Sequence, residues 1–205
     1  MQTIILASKS PRRKELLRQL GLSVVVLASN AHTLYAFQGD EEQLPTETPD
    51  RYVVRTALQK YQEGCMRAQE RGLLGLYPVV AADTVVVSDG QVLGKPRDVQ
   101  EATAFLRRLS GMTHCVMTVV AVGTHPENVR YLCNRTEVTF AKLTREEIAD
   151  YVRSREPYDK AGGYGIQGLA GVFISSIRGS FTGVMGLPIF RTAQLLRDVG
   201  VNPLK

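Results

Sequence analysis

The sequence is poor in cysteine. Its three cysteines, Cys65, Cys115 and Cys133, are far apart and odd in number. Such a set forms no disulfide framework, and without a CxxC pair it carries no zinc signature. A reducing cytoplasm is the expected setting. No apolar run reaches the roughly 20 residues of a membrane span, so no membrane attachment is expected. The first residues lack a charged region followed by an apolar run and a cleavage site, so no secretory signal is expected. Repeats, low-complexity tracts and clear linkers are absent too. The mean hydropathy of −0.08 is that of an ordinary globular protein. With 205 residues the chain can build one domain with a substantial core, or two small lobes.

Charge is present in excess of one sign. The formal net charge is +5 and the isoelectric point about 9.2, which suits an anionic ligand without choosing between nucleotide and nucleic acid. The basic residues are spread along the chain, with no lysine-rich tail and no aromatic-interleaved basic stripe, so a nucleic-acid partner is not expected.

The richest segment is LASKSPRRKELLRQLGL, residues 6 to 22. It reads as a strand end, a tight turn and a helix start. Ser10 suits the N-cap and Pro11 the first helical position. Leu16, Leu17 and Leu20 form one apolar face, and Gly21 can end the helix. A helix N-terminus favours acidic side chains, yet this one carries Arg12, Arg13 and Lys14, with Arg13 where a capping box would place Glu or Gln. Two readings fit: a solvent-facing basic helix start, or an anion site. Unpaired N–H groups, the helix dipole and two guanidinium forks favour the second, with phosphate as the anion.

Strands are expected near 3–7 and 23–28. A polar loop over 29–47 holds Asp40, Glu41 and Glu42, and a helix runs from Thr48-Pro49 to about Gly72. PVVAADTVVV, 78–87, is strongly β, Asp89-Gly90 is a hairpin turn signal, and QVLG returns as its partner. Asp98 caps a helix with Ala102, Phe105, Leu106 and Leu109 on one face, ended by Gly111. Two long strands follow, near 113–124 and 129–142. Thr144 with Glu147 is a capping box for a helix over 145–154. Residues 171–178 look like a strand, and Gly186-Leu187-Pro188 leads into a last helix. Helices alternate with strands, but hairpins also occur, so the expected class is α/β with a mixed sheet flanked by helices.

Asp83 stands inside this β run, where Asp is disfavoured and a charge needs a partner or a task. It is either a strand-end carboxylate paired with an arginine, or a metal ligand or general base. Thr84 beside it can donate or accept a hydrogen bond. A two-residue turn at 89–90 sets Val87 opposite Val92 and Thr84 opposite Lys95. A bulge near Gly94 or Pro96 would instead turn Lys95 onto the Asp83 face. Lys60, on the helix 49–71, and Glu41 in the acidic loop are ordinary solvated charges by default. His114 beside Cys115 reads as a packed strand pair rather than a metal pair. In EPYDKAGGYGIQGLAG, 156–171, five glycines either let backbone approach a ligand or serve a structural turn. The segment is neither a Walker loop nor a dinucleotide fingerprint. Gln167 carries an amide suited to a base edge.

Taken together and in order, LASKSPRR, AADTVVV…GKPRD and DKAGGYGIQG resemble the Maf family of nucleotide pyrophosphatases over about residues 4 to 192. The resemblance implies hydrolysis of a nucleoside triphosphate between the α and β phosphates, giving monophosphate and pyrophosphate with a divalent cation, Mg²⁺ or Mn²⁺. It implies a single Maf-like domain over 1–205, akin to inosine triphosphatases: an elongated mixed sheet flanked by helices, two lobes with the site in a central cleft, and a homodimer. Residue by residue, Asp83 matches the catalytic aspartate and general base. Ser8, Arg12 and Arg13 match the phosphate-binding first loop, and Lys60 and Lys95 the two site lysines. Arg12, Thr84 and Gln167 together resemble the subfamily acting on dTTP and UTP. The family's acidic pair follows the second strand; here SNAHTLYAFQ intervenes before it, and alignment at Asp40-Glu41-Glu42 makes Glu41 a metal-site carboxylate beside Asp83. Two rivals stay open: a pyrophosphatase for inosine or 7-methyl-GTP nucleotides, and a nucleotide- or nucleic-acid-binding regulator without turnover.

Overall fold

In the computed structural model, which describes residues 1–27 and 43–203, the first apolar run forms β1 (Thr3–Leu6), with Ile4, Ile5 and Leu6 fully buried. α1 (Pro11–Gln19) follows, and β2 (Ser23–Val26) returns parallel to β1, with Thr3 opposite Ser23. α2 (Pro49–Glu70) starts at Thr48, whose hydroxyl accepts from the Arg51 N–H. Then come β3 (Val79–Ser88), β4 (Gln91–Leu93), α3 (Val99–Leu109), β5 (Thr113–Gly123), β6 (Val129–Phe140) and α4 (Arg145–Arg153). β7 (Ile174–Arg178), α5 (Phe181–Val184) and α6 (Ile189–Asp198) complete the order. The seven strands form one sheet in the order β2-β1-β3-β5-β6-β7, with β4 on β3. β1 pairs in parallel with β2 and β3, whereas β4 on β3 and β7 on β6 are antiparallel. The sheet is therefore mixed, and the α/β class expected from the sequence holds.

The chain divides into two compact units. The first comprises Met1–Asp83, Thr118–Asn134 and Gly186–Lys205, the second Thr84–Met117 and Arg135–Met185. In the first, α2 packs on β1 and β3 through Val79, Ala81, Tyr61, Cys65 and Ala68. Gly64 sets how close the helix comes: a Cβ there would lie 2.5 Å from that of Ala7 and 3.0 Å from Val79 Cγ1. The Tyr61 hydroxyl, on the turn before, donates to the His125 carbonyl at 2.8 Å. Glycine thus permits the approach, and the tyrosine bond anchors the helix in it.

The second unit has its own core, built from Val86, Leu106, Leu109, Val138, Phe140, Tyr151, Tyr164 and Phe173. Its aromatic rings meet edge to face, with Phe140 and Tyr164 centroids 4.9 Å apart. The Asp89-Gly90 hairpin forms with φ of 47° and 74° at its two central residues, as a primed turn requires, and Val87 faces Val92. β4 ends at Leu93, however, so neither the Thr84–Lys95 pairing nor a bulge beyond it forms. Two further expectations shift. Residues 169–173 wind into a 3₁₀ turn, so β7 begins only at Ile174. A short α5, capped by Ser180 on the Gly183 N–H, precedes the last helix; four residues are too few to leave a readable period.

His114 is a packed core residue, 3% exposed, with Nε2 2.6 Å from the Tyr164 hydroxyl and no partner at Nδ1 among the described residues. Burial pushes its imidazole down from 6.5 to about 4. The unfolded imidazole binds a proton that the folded one refuses, so this stability is full above about pH 6.5 and drains away as the pH falls toward 4. Between pH 7 and pH 5 the loss from this group should be about 2 kcal/mol. Urea midpoints at the two pH values should therefore separate more in the native chain than in His114→Gln; equal separations would contradict the assignment.

Candidate functional site

The first loop is built on two serines and one arginine. β1 leaves the sheet after Leu6, and α1 starts at Ser10, whose Oγ accepts from the Arg13 N–H at 3.4 Å. Ser8 Oγ accepts from the Ser10 N–H at 3.2 Å and from Arg13 Nη1 at 3.1 Å. A hydroxyl has two acceptor sites and one O–H. With both acceptor sites engaged, Ser8 has its own O–H left to donate, as an anion needs. Arg13 Nε also donates to the Gly186 carbonyl at 2.8 Å, just before α6. Arg13 thus ties the turn to the C-terminal part of the same unit as well as adding charge. Arg12 lies half-buried at the second helical position. The first turn of α1 carries no acidic side chain of its own, and a helix N-terminus suits an anion.

Asp83 sits where β3 changes partners. β1 pairs with Val79 and Val80, β4 with Val86 to Ser88, and Asp83 lies between the two stretches. Its side chain is 13% exposed. From α2, Lys60 Nζ donates to Oδ1 at 2.6 Å and Thr56 Oγ1 to Oδ2 at 2.6 Å. Thr56 also lies 3.0 Å from the Tyr52 carbonyl, but its single proton favours the shorter, charge-assisted bond. Thr56 and Lys60 are one helical turn apart, on the face that the Gly64 contact holds against the sheet. The partner is thus a lysine and a threonine, not an arginine, and Asp83 is mid-strand rather than at a strand end. Because β1 and β3 are parallel and adjacent, the Ser8–Arg13 turn emerges where β1 runs out, beyond the Leu6–Val80 pair that precedes Asp83. Ligands of open α/β sheets bind at the carboxyl ends of such strands.

The remaining site candidates distribute as follows. Thr84 adjoins Asp83 but belongs to the second unit, with Lys95 and Gln167. Lys95 is exposed two residues past β4, and Gln167 is exposed within the glycine-rich segment. Glu41 lies outside the described residues. The glycines of 156–171 serve internal packing at three places. A Cβ on Gly162 would stand 2.7 Å from Val86, one on Gly165 2.7 Å from Lys160, and one on Gly168 2.3 Å from a Glu156 carboxylate oxygen. Sequence reasoning missed Thr56, whose only signal was its four-residue spacing from Lys60. It also missed Glu156, at the head of the quoted segment.

A family model described as Maf-like protein matches residues 3–199. A dTTP/UTP pyrophosphatase from Dechloromonas aromatica is 46% identical over 98% of this chain and 99% of its own length. One from Bordetella avium is 49% identical over 97% of this chain and 96% of its own. Among solved structures, a HAM1 protein from Coxiella burnetii aligns with a TM-score of 0.49 at 18% identity, over 97% of this chain and 100% of that one.

Thr56→Val keeps the shape of the side chain and removes its donor to Asp83. It should cost about 1.5–3 kcal/mol of stability, the range for a hydrogen bond to a charged group. Thr56→Ser, which keeps the hydroxyl, should lose clearly less. Urea melts of the three proteins compare them directly, and equal stability of the Val and Ser variants would contradict the role given to the hydroxyl.

Proposed function

The chain belongs to the Maf-like protein family, and from that premise we propose that it is a nucleoside triphosphate pyrophosphatase acting on dTTP and UTP. The reaction yields the nucleoside monophosphate and pyrophosphate, and clears unwanted nucleotides from the pool. The observation that carries the reading is the Asp83 carboxylate, set in β3 and held at both oxygens by α2. Relatives 46% and 49% identical over nearly the whole chain bear the name dTTP/UTP pyrophosphatase.

In this mechanism Asp83 takes the proton from the water that attacks the α phosphorus. Lys60 and Thr56 keep the carboxylate oriented. Ser8 donates its O–H to a phosphate oxygen. Arg12 and Arg13, with Lys95, bind the triphosphate and offset its charge. Gln167 reads the uracil or thymine ring through its amide, and Arg12 and Thr84 share in that selection.

Each Asp83 oxygen accepts a hydrogen bond of 2.6 Å, and a carboxylate oxygen carries two lone-pair sites. A triphosphate-bound divalent ion takes one or two carboxylates together with phosphate oxygens and water, rather than a full protein cage. The absence of a three-ligand cluster among the described residues is compatible with that. Asp83 and Glu41 are the carboxylates that would hold Mg²⁺ or Mn²⁺. When bound, such an ion supplies charge neutralisation on the phosphates. The proposal extends to a homodimer, as the family resemblance implies, and to the cytoplasm, where the thiols of Cys65, Cys115 and Cys133, none of them in a disulfide, stay reduced. No described helix is long and apolar enough to cross a membrane.

The test is a panel of dTTP, UTP, CTP, GTP, ITP and 7-methyl-GTP, scored for monophosphate and pyrophosphate with Mg²⁺ or Mn²⁺. dTTP and UTP should turn over best. Asp83→Asn should fold normally and lose about 10²–10⁴-fold in kcat, the worth of a general base. Near-native turnover in that variant would contradict the role of Asp83, and preferred turnover of another triphosphate would contradict the substrate.

A further inference from the structure

Gln167 is exposed, and it occupies a central position of a tight turn closed by the Gly168 N–H donating to the Gly165 carbonyl at 3.0 Å. An exposed amide on a four-residue turn has little packing of its own, yet a base-reading group must be held to within about 0.5 Å. The structure supplies two anchors. Before the turn, Tyr164 is 5% exposed, and its hydroxyl lies 2.6 Å from His114 Nε2. After it, the Glu156 carboxylate gathers the backbone: Oε2 accepts from the Leu169 N–H at 2.9 Å and Oε1 from the Ala170 N–H at 3.5 Å. Oε1 also accepts from the Tyr151 hydroxyl of α4 at 3.0 Å, so the carboxylate links a buried tyrosine to the two residues just past Gly168. Charge-assisted bonds of this kind are about twice as strong as neutral ones.

The neighbouring chain is shaped to admit that carboxylate. A Cβ on Gly168 would meet its two oxygens at 2.3 and 2.4 Å. Arg155, immediately before Glu156, adopts a left-handed φ of 64°, uncommon for a residue with a side chain. Lys160 Nζ donates to the Glu156 carbonyl at 2.8 Å and fixes the other end of the same residue. We propose that Glu156 is a positioning residue for base recognition, its carboxylate fixing the turn that presents Gln167. This inference rests on the proposed function and on the place given there to Gln167. Uracil offers an acceptor at O4 and a donor at N3, and cytosine the reverse. An amide can tell them apart only when its orientation is held, so a loosened turn costs discrimination before it costs chemistry.

The experiment measures kcat and KM for UTP and CTP in the native protein, Glu156→Ala, Glu156→Gln, Gln167→Ala and the double variant Glu156→Ala/Gln167→Ala, with Gly168→Ala as a second way to displace the carboxylate. In Glu156→Ala, KM for UTP should rise about tenfold, as expected for losing a hydrogen-bonded charged anchor, while kcat stays within about twofold. The preference for UTP over CTP should shrink, Glu156→Gln should fall between native and Ala, and Gly168→Ala should follow Glu156→Ala. In the Gln167→Ala background, Glu156→Ala should add nothing further to KM, because both act through one contact. A purely structural glutamate would instead lower kcat for both nucleotides alike, or add its effect in full to that of Gln167→Ala; either result overturns the inference and leaves the pyrophosphatase reading standing. A native protein that releases no pyrophosphate from any triphosphate overturns both.

Discussion

A carboxylate in the middle of a β-strand is the constraint around which the first unit is organised. The Asp83 side chain is only 13% exposed, and burying a carboxylate must be offset by charge and by hydrogen bonds together. The Lys60 ammonium supplies the first and the Thr56 hydroxyl adds to the second. Both come from one helix, so α2 has to lie close to β1 and β3, and Gly64 is what lets it. Tyr61 then ties the helix to the turn between β5 and β6. A single awkward charge thereby accounts for a glycine, a buried tyrosine and a 22-residue helix. The same features, a carboxylate held still, partly dry and beside a cation, are those on which the role proposed for Asp83 draws.

The turn after β1 and the turn carrying Gln167 are built differently. In the first unit, the turn after β1 concentrates N–H groups and guanidinium charge, and Arg13 fastens it to the Gly186 carbonyl. Rigidity there comes from short bonds within one unit. In the second unit, the turn carrying Gln167 is held by neighbours on either side rather than by contacts of its own. Glycine matters in the segment that carries Gln167, but for internal packing. Gly162 makes room for Val86, Gly165 for Lys160 and Gly168 for Glu156, so a run that looks like a ligand cradle is largely a set of clearances for the protein's own side chains.

Much of this was legible in the residues. Ser10, Thr48, Asp98 and Thr144 each declared a helix start and each accepts the expected N–H. Asp89-Gly90 fixed a hairpin and its register, and the oddity of Asp83 in a β run pointed to a partner. Other features were not legible, for physical reasons. Thr56 is an ordinary helical residue until tertiary packing brings it to a carboxylate 27 positions away. The end of β4 at Leu93 is set by the Gly94 carbonyl turning to accept the Gly162 N–H at 2.9 Å, a long-range bond with no local signature. The 3₁₀ turn over Leu169–Phe173 likewise depends on Glu156, thirteen residues upstream of the first N–H it accepts from. Local rules failed where distant side chains decide the backbone.

The central claim is that the carboxylate on β3 directs water at the α phosphorus. Hydrolysis of UTP in ¹⁸O-enriched water, followed by mass spectrometry of the two products, tests it most directly. The account predicts that the label enters UMP and that pyrophosphate leaves unlabelled; label in the pyrophosphate would place the attack on the β phosphorus and contradict it.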